Sequence, residues 1–103
     1  MNSTILINAA SAPTAAPTNS TEGTLIRDEN RPDSGGKDEL VTQVTLTGTG
    51  TVRLFGRLHR NLPWQQMGAD ITASGVVVLP RVPFLFAQVV AVSGGSATVA
   101  AAF

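Results

Sequence analysis

The residues able to do chemistry are few, and their spacing gives them little to do. The single imidazole is His59, within Arg57-Leu58-His59-Arg60. A general base needs a nearby group to orient it. No Ser or Asp stands beside His59 by strand spacing, and the flanking guanidiniums oppose its protonation. It reads as a polar residue at a strand end. Arg53, Arg57 and His59 share one strand face with Phe55 among them, a faint version of the aromatic and cationic platforms that hold single-stranded nucleic acid. Seven basic against seven acidic side chains argue against a general nucleic-acid binder. Asp28-Glu29 and Asp38-Glu39 are carboxylate pairs without the oxygen-rich loop spacing of a calcium site. There is no cysteine, hence no thiolate nucleophile, disulfide or sulfur-ligated metal, and one histidine cannot build a multi-histidine site within a chain. Gly48-Thr49-Gly50 and Gly94-Gly95 follow strands but precede further β-rich runs, whereas a phosphate cradle needs a helix N-terminus. Trp64 is expected as a core anchor, with a sugar-stacking platform as its functional rival. No catalytic residue, cofactor or metal is expected.

The elements that carry these residues are β. The chain has 103 residues, 43% hydrophobic and 14% charged, enough for one small domain. The pattern predicts an all-β protein, a small antiparallel β-sandwich or barrel-like domain over residues 40–103, with an extended N-terminal arm over residues 1–39. Residues 41–47 and 51–59 flank Gly48-Thr49-Gly50, a hairpin signature. Pairing around that loop sets Leu46 opposite Val52 and Val44 opposite Leu54, on one apolar face. A short strand follows from Trp64 to Met67. Two more lie at 70–73 and 76–79, and then an extended crossing through Pro80 and Pro83. A last hairpin joins 84–92 to 97–103 at Gly94-Gly95, with Val90 opposite Val99 and Phe86 opposite Phe103. Both of its faces are apolar, so both are expected to be covered, and a body this small has little to cover the second. Self-association is therefore expected, with a trimer as first expectation. Ile5, Leu6, Ile7, Phe55, Phe86, Val90 and Phe103 are its candidate interface residues.

The first 39 residues are rich in proline and small polar side chains, and hold two strand-like islands at 4–8 and 24–27. Such a segment does not fold by itself. It is expected to lie on the body of its own or a neighbouring copy and to order only in an assembly, with residues 4–8 as an added strand. Within those residues, Ile5 and Ile7 are expected on one face and Leu6 on the other. The arm carries a net charge of −3 and the body +3. The body's cations are Arg53, Arg57, Arg60 and Arg81, the candidate arm-docking residues, since guanidinium suits bidentate carboxylate pairing. The first basic residue is Arg27, after the short apolar run Ile5-Leu6-Ile7, so no secretory leader is expected. Residues 76–92 are the most apolar stretch but contain Pro80, Arg81 and Pro83, so no membrane helix is expected.

The run Gly50-Thr51-Val52-Arg53-Leu54-Phe55-Gly56-Arg57-Leu58, then Trp64 after a short Asn/Pro turn, is followed by Val78-Leu79-Pro80. Pro83-Phe84-Leu85-Phe86-Ala87-Gln88-Val89 and Ser93-Gly94-Gly95-Ser96-Ala97-Thr98-Val99 complete the pattern. Over residues 42–103 it resembles small β-sandwich virion proteins of tailed bacteriophages. The resemblance implies a non-enzymatic capsid decoration, cement or minor head protein. Such a protein docks on the major capsid protein or other virion proteins, with a neck or tail role as the alternative. It implies a place in the virion, assembled in the host cytoplasm, and brings no catalytic residue. Phe86 and the ending Ala100-Ala101-Ala102-Phe103 depart from the pattern toward burial against a partner. A carbohydrate-binding sandwich using Trp64 and Phe55 is the more distant alternative. Four Phe, one Trp and no Tyr supply few stacking groups for it.

Overall fold

Alternation with period two runs through buried Leu40, Thr42 and Val44, with exposed residues between them, and again through buried Val52, Leu54 and Gly56, with half-buried residues between them. Each run is a strand with one face on the core. In the computed structural model, which describes residues 3–26 and 39–102, there are eight strands: β1 (Ser3–Ala10), β2 (Thr24–Leu25), β3 (Glu39–Leu46), β4 (Thr49–Arg57), β5 (Gln65–Gln66), β6 (Gly75–Pro80), β7 (Phe84–Ser93) and β8 (Ala97–Ala102). They form two antiparallel four-stranded sheets, ordered β1-β8-β3-β6 and β2-β7-β4-β5. The fold is a small all-β sandwich.

The core lies between the sheets. One sheet contributes Ile7, Leu40, Val44, Leu79 and Val99; the other contributes Val52, Leu54, Leu85, Ala87 and Val89. Burying each such Val, Leu or Ile is worth about 1.5–3 kcal/mol. Thr42 also points inward and is fully buried.

The two expected hairpins are corrected. β3 does not pair with β4, nor β7 with β8. β3 pairs with β6 and β8, and β4 with β5 and β7. Both glycine-containing links are corners that carry the chain from one sheet to the other. Val44, Leu46, Val52 and Leu54 keep their common apolar side, but they meet across the core and not side by side. The two corners stack. Thr47 N donates to Ser96 O at 2.9 Å, and Ser96 N donates to Thr47 Oγ1 at 2.8 Å. The contact is so close that a Cβ on Gly48 would strike the Ser93 carbonyl and one on Gly95 the Thr47 carbonyl. Gly48 and Gly94 have φ of 75° and 72°, left-handed values that glycine adopts without strain.

The expected arm is corrected as well. Ser3–Ala10 does not wait for a neighbour; it pairs antiparallel with β8 of its own sheet. The free edge of β8 offers a row of main-chain groups, and its inward Ala97 and Ala101 leave room that Ile7 fills. Register shifts between Ile5 and Ile7 insert Leu6 as an extra residue. That bulge puts Ile5 outside, 61% exposed, and Ile7 inside, against the expectation that both share a face. Further along, Thr14 N donates to Val89 O and Thr14 Oγ1 accepts from Val89 N, both at 2.9 Å. β2 then pairs with β7, and Ile26 enters the core. Residues 3–26 are thus part of the sandwich that residues 39–102 complete. The expected strand island at 24–27 is β2 with Ile26; Arg27, Asp28-Glu29, Asp38 and Phe103 lie outside the described residues.

Candidate functional site

The outer face of the β2-β7-β4-β5 sheet gathers most of the residues singled out by type. Cross-strand register sets Phe55 beside Phe86, Arg57 beside Phe84 and Arg53 beside Gln88. β5 and the loop before it lay Trp64 over this row. Its ring is 5.9 Å from that of Phe86, and the Arg57 guanidinium lies 4.4 Å from its centroid. Arg57 is only 5% exposed. Its Nη1 donates to the carbonyls of Asn19 (3.1 Å) and Leu62 (3.3 Å), and its Nη2 to that of Thr21 (2.8 Å). A guanidinium presents donors in a planar fork, and here the fork clasps the N-terminal segment to the sheet. Gly23 completes the seat, since a Cβ there would approach within 2.5 Å of Trp64 Cη2.

Each candidate arginine therefore has a particular position. Arg57 does hold residues of the first 39, but through main-chain carbonyls and not carboxylates. Arg53 pairs instead with Asp70 of the body, Nε to Oδ1 at 2.9 Å and Nη2 to Oδ2 at 3.3 Å, while Gln66 Nε2 donates to the same Oδ1 at 2.7 Å. Those two donors hold the Asp70 carboxyl below its ordinary value, the Arg53 hydrogen bond first, and Asp70 in turn raises Arg53. Arg60 lies over the Phe84 ring at 5.7 Å. Arg81 is half-buried in the link between β6 and β7. His59 caps a surface turn, its Nδ1 accepting from Asn61 N at 3.1 Å.

The expected interface residues separate. Phe55 and Phe86 are half-buried in the aromatic row of their own chain; the expected pairing of Phe86 with Phe103 falls on a residue outside the described ones. Val90 is the extra residue of a bulge in β7, between the pairs Val52–Val89 and Thr51–Ala91. Ile7 belongs to the core, Leu6 packs against it, and Ile5 alone of the three is exposed.

Residues missed by sequence reasoning, together with the expected Ile5, form a second face. On the outside of the β1-β8-β3-β6 sheet, register aligns Ile5, Ala100, Gln43 and Val76 in one row, and Ser3, Ala102, Val41 and Val78 in the next. Val76 is 62% exposed and Val78 54%. The signal lay in Val76-Val77-Val78: three successive valines in one strand must place one or two of them outside. Among the described residues, Glu39 is the one formal charge pointing out from a strand of this sheet. A cleft of about 490 Å³ opens at one end of the sandwich, between Gly56, Leu58, Leu62, Met67, Pro80 and Val82. Its apolar walls offer no acid, base or ligand set. No three His, Cys, Asp or Glu side chains come together among the described residues, and no helix there is long and apolar enough to cross a membrane. The chain matches no protein-family model, no curated protein and no solved structure.

Proposed function

We propose that the chain is a non-enzymatic structural protein of a phage particle, of the capsid decoration, cement or minor head type, which self-associates and docks on other virion proteins. The observation that carries this reading is the exposed apolar face of Ile5, Val41, Val76 and Val78 on a sandwich in which Arg53, Arg57, Trp64 and Phe86 are engaged within their own chain. Contiguous exposed apolar surface rimmed by polar residues marks protein contact. The rest of the support is the resemblance of residues 42–103 to small virion sandwiches. A neck or tail position would use the same face.

The test is to label the chain in cells producing its particles and separate those particles from soluble protein on a density gradient. The label should travel with the particle, and Val41→Asp with Ile5→Asp should move it to the soluble fraction. Recovery of the unsubstituted chain only as free protein overturns the reading.

A further inference from the structure

The outward valines are also part of a sheet edge, and the hydrogen bonds show which way that edge faces. Leu46 N donates to Ser74 Oγ at 2.8 Å, and Ser74 Oγ donates back to Leu46 O at 3.1 Å. The main-chain groups of Leu46 therefore point toward the β6 side. Sides alternate along a strand, so Val44, Thr42 and Leu40 point the same way. Their register partners Gly75, Val77 and Leu79 return those bonds. Val76, Val78 and Pro80 must then point away from β3. Proline obeys the same parity, because a residue with no N–H loses nothing on the outward side. Among the described residues no main-chain bond reaches the outward groups of Val76 or Val78.

The other edges are blunted in ways that β6 is not. β1 is interrupted by two register shifts and by Ala9 at φ 51°. β5 and β2 are two residues each, and Thr14 occupies the edge of β7 beyond β2. β6 runs six residues in unbroken register with β3 and contains no charged side chain. Long, flat, uncharged edges are those that recruit another strand.

We propose that β6 is the self-association edge, pairing antiparallel with β6 of a second copy to join two four-stranded sheets into one of eight. This rests on the reading of the chain as a self-associating structural module and names its contact. A two-fold axis at Val77 sets Val76 opposite the partner's Val78, so the four outward N–H groups all find a carbonyl. The same operation brings the exposed side chains of Val76 and Val78 from both copies into one apolar patch. A slip of one residue would set these outward valines beside inward Val77 and Leu79, which pleat parity forbids. Among the described residues of β6 and β3 no like charges meet, since β6 carries none and Glu39 pairs with Pro80 at the far end. One strand pairing with itself closes at two copies. The trimer expected from sequence would need a second, different contact.

An edge this short lies at the small end of interfaces, so association is expected on the order of 100 μM. Hydrogen exchange on the full chain, followed residue by residue at low and high protein concentration, reads the parity directly. The amides of Val76 and Val78 should gain protection with concentration, while that of Val77 stays protected throughout. Sedimentation velocity should show a monomer–dimer equilibrium that Val78→Pro weakens at least about tenfold, because the lost N–H is one the monomer does not use. If Val78→Pro fails to fold, Val76→Lys serves the same purpose. A protein monomeric to millimolar concentration, equal exchange of Val76 at both concentrations, or a dimer indifferent to a folded edge variant overturns the inference. A dimer dissolved by these variants but absent from particles upholds the edge and overturns the virion reading. Particle association without any dimer does the reverse.

Discussion

Replacing Arg57 by Met removes the clasp on the N-terminal segment while keeping most of the side chain's volume. The wild-type guanidinium makes three hydrogen bonds to main-chain carbonyls. Bonds to a charged group contribute about 1.5–3 kcal/mol where the acceptor cannot turn to water. Asn19 and Leu62 are exposed and Thr21 half-buried, so water can replace the donor, and about 1 kcal/mol per bond is the fitting figure. The stack on Trp64 at 4.4 Å adds about 0.5–2 kcal/mol. Against this stands the cost of burying a cation with no carboxylate against it, several kcal/mol before compensation and recovered when Met replaces it. The contacts win narrowly. A loss of about 2 kcal/mol is expected, lowering Tm by roughly 8–16 °C at 4–8 °C per kcal/mol for a domain of this size. Thermal unfolding followed by circular dichroism measures it, and the amide of Thr14 should exchange faster in the variant. Arg57→Lys should fall close to Met, since one ammonium cannot reach all three carbonyls. An Arg57→Met protein as stable as the parent would show that desolvation cancels the clasp and that β2 and Thr14 alone hold the segment.

Deleting residues 1–10 should unfold the chain or cost at least about 3 kcal/mol, because Ile7 leaves the core and the edge of β8 opens; urea unfolding decides, and a folded remainder of unchanged midpoint would mean β1 is dispensable. Thr42→Val should stabilise by about 1 kcal/mol, since the fully buried Thr42 Oγ1 has no hydrogen-bond partner and a buried unpaired hydroxyl is costly; an unchanged or lower urea midpoint counts against it. Gly95→Ala should cost roughly 1–3 kcal/mol through the collision of its Cβ with the Thr47 carbonyl, and a Tm equal to the parent's would show that the stacked corners can part. Asp70, its carboxyl lowered by Arg53 and Gln66, contributes stability that is present above the unfolded-state pKa near ~3.9 and lost as pH falls through the lower folded value. Its carboxyl carbon should titrate below the ordinary carboxylate midpoint in NMR, moving up in high salt because the pair is exposed; an ordinary midpoint at low salt contradicts the pairing.

Local patterning was enough to place most strands and, where no bulge intervenes, to say which residues face inward; at Ile5 and Ile7 the Leu6 bulge reversed it. Alternation is local, so Val44, Leu46, Val52 and Leu54 could be assigned to one apolar side, and residues 84–92 could be recognised as apolar on both. The virion reading drew on a Gly-Thr turn and a Ser/Gly turn read as hairpins; neither hairpin forms, which leaves that reading resting on turn and strand composition alone. What the sequence left open was which strands pair. A hairpin and a sheet-changing corner need the same alternation and the same glycines. They differ by a rotation at Thr47-Gly48 that depends on which other strands are present to take the hydrogen bonds. β8 and β6 compete for β3, and β7 competes for β4, and that competition involves residues up to about a hundred positions apart, as in the pairing of Ser3 with Ala102. The same holds for coverage. Two apolar faces on β7 demanded two covers, but only the folded chain decided that the outer cover is Trp64, Arg57 and the chain's own first residues, and that the face left open is the one carrying Val76 and Val78. Inward and outward follow from a strand's own period; neighbour and cover are settled where the whole chain meets.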